Sequence, residues 1–452
     1  MNKNLIIAFA SAIVIFSSCK KSGGDNPDPG PGSTRNKLKD SVLDISKEVY
    51  LWYSQIPATF DPQSYSDPDK IMTAIRAYSK ENGFTNPVDR WSFAATQAEW
   101  DNVSGGIAKD FGMNVFFKEE GDLRIRAVEA ASPAGAAGIR RGWRMTKFNG
   151  SSNVTTGNAN AIVDAVYYSN ASTFTFQKPD GSLVDVALTA ASYQENPFAL
   201  DTVYSVGAGK AGYIVFNSFL GDTTAINAKF ASVFNKFNTA GVTDVIVDLR
   251  YNGGGYVSLQ DKFANYLINN AGNNGVMMNQ QFNDKLASFY NSTTKFNKLG
   301  SLNLSRIFFI VSNNTASASE LLINNLKPYM SVKIVGPSNS YGKPVGYFPI
   351  EAGDWYVFPV SFRSTNKNGE GSYFNGFAPD KVAADGLDKD WGNKDEASLA
   401  SILKYIGTGT FGFAEVQGTT RSASVKEKIE QGNEKLSANE FKGMIDTRRL
   451  KR

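Results

Sequence analysis

The chain of 452 residues contains no histidine. Imidazole can therefore act neither as general base nor as metal ligand, which excludes Ser-His-Asp hydrolysis, Cys-His proteolysis and zinc sites built on paired histidines. Any nucleophile must find another base. Cys19 is the single cysteine, so no internal disulfide can form. No run of lysine or arginine is interleaved with aromatics, and 47 basic against 43 acidic residues leave a net charge of only +4. Nucleic acid is thus not an expected partner. No metal or organic cofactor has an evident site. The apolar run at the N-terminus, Leu5 to Phe16, is too short to span a bilayer.

What that run does resemble is an export address. Lys3 supplies a positive start, Leu5 to Phe16 the apolar centre, and Ser17-Ser18-Cys19 the small-residue end. Cys19 stands where a bacterial lipoprotein signal places its lipidated residue, although Phe16 and Ser17 depart from the usual lipobox; a plain signal peptide cut nearby is the alternative. The following Pro/Gly/Ser-rich stretch, residues 20–35, can bury nothing and reads as a linker. The expectation is a leader over 1–19 and a protein tethered by lipid to a membrane of the cell envelope.

With 42% hydrophobic and 20% charged residues, the remainder has the composition of a globular protein of several domains. Residues 36–105 show helical spacing at Leu38, Val42, Ile45 and Val49, then at Ile71, Ile75 and Tyr78, and read as a helical cap. Residues 106–191 show short alternating strands at 113–117, 123–128 and 174–177. From 192 to 410 strands alternate with helices, and the nearly continuous apolar run 242–249 reads as a strand covered on both faces. The polar, basic residues 411–452 read as a flexible or weakly helical tail.

Three stretches could carry chemistry. The strand ending at Asp248 runs through Leu249-Arg250-Tyr251-Asn252 into Gly253-Gly254-Gly255, whose unshielded N–H groups suit an oxyanion site. No phosphate-loop lysine follows it. Ser317, in Thr315-Ala316-Ser317-Ala318-Ser319-Glu320, lies between a strand and a helix, where following N–H groups and the helix end would face a developing oxyanion. Ser317 and Glu320 equally spell an ordinary capping box. Lys343, in Gly342-Lys343-Pro344, has small or apolar neighbours; a lysine becomes a useful base only when desolvation disfavours its charge. An isolated surface lysine in a glycine turn is the other reading.

Within 106–191, Phe111-Gly112-Met113-Asn114, Ser132-Pro133-Ala134-Gly135-Ala136-Ala137-Gly138-Ile139 and Phe148-Asn149-Gly150 resemble a PDZ domain of the bacterial protease type. In such a domain the loop Phe111, Gly112, Met113, Asn114 would hold a C-terminal carboxylate while the peptide adds itself as a strand. Together and in order, the glycine loop, the serine stretch and the glycine-lysine pair resemble the C-terminal processing, or tail-specific, serine peptidases. Asp89-Arg90-Trp91-Ser92-Phe93 and Gly376-Phe377-Ala378-Pro379-Asp380 agree with this.

The resemblance, covering about residues 36–410, implies an α/β core of the crotonase-like or ClpP-like kind with an inserted PDZ domain and an N-terminal helical cap. It implies Ser317 as nucleophile, Lys343 as base, backbone N–H groups of Ala318, Gly254 and Gly255 as oxyanion hole, and Glu320 in support. The partners would be C-terminal tails of exported proteins. The interval from Ser317 to Lys343 is one residue longer than is usual in the family, Pro344 replaces a glycine, and Tyr347 stands where a glutamine commonly orients the amine. A non-catalytic, tail-binding lipoprotein on the same fold is the rival reading.

Overall fold

A computed structural model describes residues 35–412, 423–438 and 440–448. The leader with Cys19, and the linker save for Arg35, lie outside them. Among the described residues no helix is long and apolar enough to cross a membrane.

Helices α1 (Lys37–Val49) and α2 (Pro68–Ile75) follow the apolar spacing. Val42, Leu43, Ile45 and Val49 turn inward on the first, Ile71, Met72 and Ile75 on the second. Asp67 starts α2 by accepting from the Lys70 N–H, with Pro68 at the first helical position. They do not make a separate cap. Their buried faces share one core with a strand, Phe93–Thr96, that pairs antiparallel with Trp355–Phe358, and with Val345, Phe358 and Phe362. Two short helices with one apolar stripe each cannot enclose a core unaided, so the core of the later chain completes it.

Strands β1 (Met113–Glu119), β2 (Asp122–Val128), β3 (Arg144–Phe148), β4 (Ala171–Gln177) and β5 (Leu183–Thr189) form an antiparallel sheet in sequential order. Helix α3 (Ala159–Val163) adds Ala159 and Ile162 to its core of Val115, Ile125, Met145, Phe174 and Phe176.

The main sheet follows. Its strands are β6 (Phe198–Val206), β7 (Gly209–Phe216), β8 (Asp244–Asp248), β10 (Arg306–Ile310), β11 (Ser331–Gly336) and β12 (Lys381–Val382), and they lie side by side in that order. A short strand of another sheet, β9 (Gly254–Tyr256), falls between β8 and β10 in sequence. All neighbours in the main sheet are parallel except the β6/β7 edge pair. Val245 and Val247 of β8 face one core with Ile307 and Phe309 of β10; Ile246 faces another with Phe308 and Ile310. That two-sided burial is why the run 242–249 carries no polar alternation. Helices α4 (Thr223–Ala240), α5 (Val257–Leu267) and α6 (Ala318–Leu326) cover the first face, and α7 (Ala397–Thr408) the second.

The segment read as a flexible or weakly helical tail is docked. Residues Ala423–Leu436 form helix α8 and Gly443–Ile445 form a buried strand, β13. Few apolar residues hold it: Ile429 and Leu436 bury against the β1–β5 sheet, Met444 and Ile445 in the core shared with α1 and α2. Their spacing within a polar sequence gives no periodic signal.

Candidate active site

Strand β8 delivers the chain into the loop 249–255. Arg250 is buried there because Asp248 at 2.7 Å, Glu396 at 2.9 Å and Asp385 at 3.0 Å surround its guanidinium, as a charge away from water requires. Arg141 also reaches Asp385, at 2.9 Å, and so ties the β1–β5 sheet region to this loop. Asn252 shapes the turn: its Nδ2 donates to Phe216 O and its Oδ1 accepts from the Gly254 N–H, both at 2.9 Å. Gly254 and Gly255 have φ of 105° and 137°, which side-chain-bearing residues rarely adopt.

Ser317 sits at the end of the loop after β10, immediately before α6. Its φ is 60°, an unusual value for a residue with a side chain and a sign of a backbone held by its surroundings. The residue is fully buried, yet its Oγ has no hydrogen-bond partner. Ser317 and Glu320 are placed as a capping box, with Glu320 accepting from the Ser317 N–H at 2.9 Å, but Oγ itself makes no cap hydrogen bond. The hydroxyl is not spent as a helix cap. Ala318 N lies 3.0 Å from the point where a Gly254 Cβ would stand, so the two backbone donors expected of an oxyanion hole border one space. The Gly254 N–H is at present held by Asn252.

Glu320 organises both sides. Its buried carboxylate accepts from the backbone N–H groups of Ser317, Gly342 (2.7 Å) and Lys343 (2.8 Å), and from Ser340 Oγ (2.5 Å). Burial pushes its carboxyl above the usual carboxylate range, while those four donors pull the other way.

Lys343 is buried, and desolvation pushes its amine well below the ordinary lysine value; the charges of Asp89 and Glu320 oppose this only in part. The surface-lysine reading is thereby overturned. Nζ donates to Tyr347 Oη and to Lys442 O, the latter at 3.1 Å, and lies 3.7 Å from the Tyr347 ring centroid and 5.5 Å from that of Trp91. No hydrogen bond joins it to Ser317 Oγ.

Of the loop Phe111–Asn114, Phe111 is buried in the β1–β5 core, and Met113 pairs with Val128. Gly112, at φ 71°, donates its N–H to Asp110 Oδ1 at 2.6 Å; a Cβ there would meet that of Ser132 at 2.0 Å. Asn114 alone of the four lines the cleft of about 920 Å³ that extends past Arg126 to Gly254, Trp91 and Tyr347. Among the described residues no group of histidine, cysteine or carboxylate side chains could hold a metal ion.

Sequence reasoning passed over Ser340 and the C-terminal strand. Asn252 stood inside a quoted motif without a role. Tyr347 was legible only as a departure from the expected glutamine, and it proves to be the partner of the amine.

The model for peptidase family S41 matches residues 210–383, and that for the peptidase S41 N-terminal domain matches residues 37–93. A protein of Staphylococcus aureus (strain COL) named "Probable CtpA-like serine protease" is 26% identical over 314 residues, covering 69% of this chain and 58% of its own length. One of the same name from Staphylococcus saprophyticus is 25% identical, over 68% and 59% respectively. The chain thus spans less than two thirds of the length of these curated relatives. A solved structure from Bacteroides fragilis, assigned to the S41 proteases, shares the fold with a TM-score of 0.67 at 21% identity, over 85% of this chain and 100% of that one.

Proposed function

We propose that this chain, which belongs to peptidase family S41, is a serine endopeptidase that cuts exported proteins near their C-termini through Ser317 and Lys343. The observation that carries this is the pairing of an unspent, buried hydroxyl at a strained helix start with a buried lysine whose charge is disfavoured, both hung on Glu320.

In this reading Ser317 Oγ attacks the scissile carbonyl carbon and its proton passes to the neutral Lys343 amine. The Ala318 N–H, with that of Gly254 or Gly255, receives the developing oxyanion, which requires Gly254 to exchange Asn252 for it. The carbon–nitrogen bond then breaks, and the leaving amine takes the proton from Lys343. Water then loses a proton to the neutral Lys343 amine and attacks the acyl carbon, and as the ester bond breaks the ammonium returns that proton to Ser317 Oγ. Glu320 touches no substrate and is a positioning residue.

The unit 106–191 would serve as a PDZ domain that captures an apolar, flexible tail, with the carboxylate near Asn114, and the main sheet as a core of the crotonase-like or ClpP-like kind. Lipidation at Cys19 would place the protein in the cell envelope. A binding protein without catalysis is favoured by one fact only, the absence of a bond between Nζ and Ser317 Oγ.

The deciding experiment is cleavage of an unstructured protein with an apolar C-terminus by the chain lacking residues 1–19, beside Ser317→Ala and Lys343→Ala. Loss of cutting in both variants is expected. Binding of the tail without cutting in the wild type, under conditions that also free the cleft, would give the site to the non-catalytic reading. Palmitate incorporation lost in Cys19→Ala tests the anchor.

A further inference from the structure

The candidate cleft is already occupied by the chain itself. Strand β13 runs parallel to β9, with Gly443 beside Gly254, Met444 beside Gly255 and Ile445 beside Tyr256. On its other side the Tyr347 N–H donates to Met444 O and the Asp446 N–H to Tyr347 O, each at 3.0 Å. The segment thus completes a sheet between the glycine loop and the stretch that follows Lys343, in the way an added peptide strand would.

Three glycines make the room for it. A Cβ on Gly253 would stand 1.9 Å from Phe441 O, one on Gly254 2.2 Å from Gly443 O, and one on Gly346 2.8 Å from Met444 O. The walls are cut to the backbone of an extended polypeptide. The occupant also takes up the chemistry, because Lys442 O accepts from Lys343 Nζ at 3.1 Å and from Tyr347 Oη at 3.0 Å.

The same segment blocks a second position. Helix α8 packs against β1 and α3, where Asn433 accepts from the Phe117 N–H at 2.7 Å and donates to Phe117 O at 3.1 Å. One side-chain amide there replaces the paired donor and acceptor that a bound strand would offer to β1. Glu440 then pairs with Arg126, which lines the cleft.

Only Ile429, Gly432 and Leu436 of the helix are buried, so little apolar area holds it down. A local release that leaves the main sheets intact is correspondingly cheap.

We propose that residues 423–438 and 440–446 are an intramolecular occupant of the substrate path, with α8 over the β1–α3 groove and β13 in the catalytic cleft, so that the peptidase is made self-occluded and works when this segment leaves. The inference rests on the peptidase reading for its consequence, but its binding element stands apart. The ligand of the cleft is an extended peptide with a small residue beside Gly254 and large apolar side chains at the next two positions.

The test compares the full chain with Met444→Glu, which places a charge in the core beneath the strand, and with Gly443→Pro, which removes the N–H that donates to Gly253 O at 2.9 Å. Cooperative thermal unfolding establishes that each is folded, and the milder Gly443→Pro serves if Met444→Glu is not. Cleavage of an apolar-tailed substrate should rise at least tenfold in the variants. A synthetic peptide of residues 440–448 should reverse that rise, and a labelled form should bind the variants at least tenfold tighter than the wild type.

Variants that bind the peptide more tightly yet cut nothing would keep the occlusion and remove the peptidase reading. Equal cutting and equal peptide binding by wild type and folded variants would overturn the occlusion. Faster cutting without tighter peptide binding would overturn it as well.

Discussion

Ser317 and Lys343 hang from a single carboxylate oxygen. Glu320 Oε2 accepts from the backbone N–H of Ser317 at 2.9 Å and from that of Lys343 at 2.8 Å, across an interval of 26 residues. The proposed nucleophile and the proposed base are thus referenced to one point, with no hydrogen bond between their side chains. The extra residue in the intervening loop leaves both backbone bonds intact.

Glu320→Gln replaces one acceptor oxygen by a donor that would face N–H groups. Burying such a mismatch costs about 1–3 kcal/mol. We expect kcat to fall at least tenfold with a smaller change in KM, because Glu320 is fully buried and in the proposed mechanism touches no substrate. Steady-state kinetics beside a thermal melt separate this from simple unfolding; a fall in melting temperature with kcat retained would contradict the positioning role.

Backbone strain at Ser317 makes a second prediction. Its φ of 60° is readily adopted by glycine, so Ser317→Gly should abolish cleavage while raising or preserving stability, the relief of such strain being worth about 1 kcal/mol. Urea unfolding of Ser317→Gly beside Ser317→Ala, which keeps the strain, reads the difference.

For Lys343 the sign follows from its lowered folded value. Below the ordinary lysine value of about 10.4, the unfolded chain takes a proton that the folded chain does not accept until a lower pH. Stability from this group is therefore fully present only above the unfolded value of about 10.4 and is lost as pH falls from there toward the folded value. Lys343→Met should flatten that slope in denaturant midpoints measured from pH 6 to 10. In the wild type the cleavage rate should rise across an acid limb lying well below 10, a limb set by the amine.

Tyr347 holds the amine where a glutamine is common in the family. Tyr347→Phe removes the hydroxyl that bonds Nζ and should lower kcat about tenfold, and Tyr347→Gln should recover part of it. Equal losses in both would assign Tyr347 to packing alone, since the ring is buried in the core shared with α1 and α2.

Arg250→Met would leave the buried Asp248 and Glu396 and the partly buried Asp385 around a missing charge. Removing one partner of a buried network costs about 3–5 kcal/mol. A matching drop in the unfolding midpoint is expected, along with loosened coupling between Arg141 and the core, read as faster amide exchange in residues 141–145.

Local chemistry was legible in the chain. The absence of histidine forced a different base, and two-sided apolar strands revealed the main sheet. The glycine triplet and the serine before Ala318–Leu326 marked where backbone donors collect, because each is a short-range consequence of residue type. The N-terminal helices were legible too, but not their shared core with residues 345–374, since a one-sided apolar stripe does not name what covers it.

The tertiary structure alone decided the rest. Whether Ser317 caps its helix depends on where Glu320 turns, and Glu320 turns toward a loop 20 to 23 residues on. Whether Lys343 is charged depends on burial, which no neighbour in sequence supplies. That a polar tail fills a cleft depends on Gly253, Gly254 and Gly346 standing beside carbonyl oxygens of residues 441–444, a meeting of distant backbone atoms that leaves no pattern in the sequence of the tail.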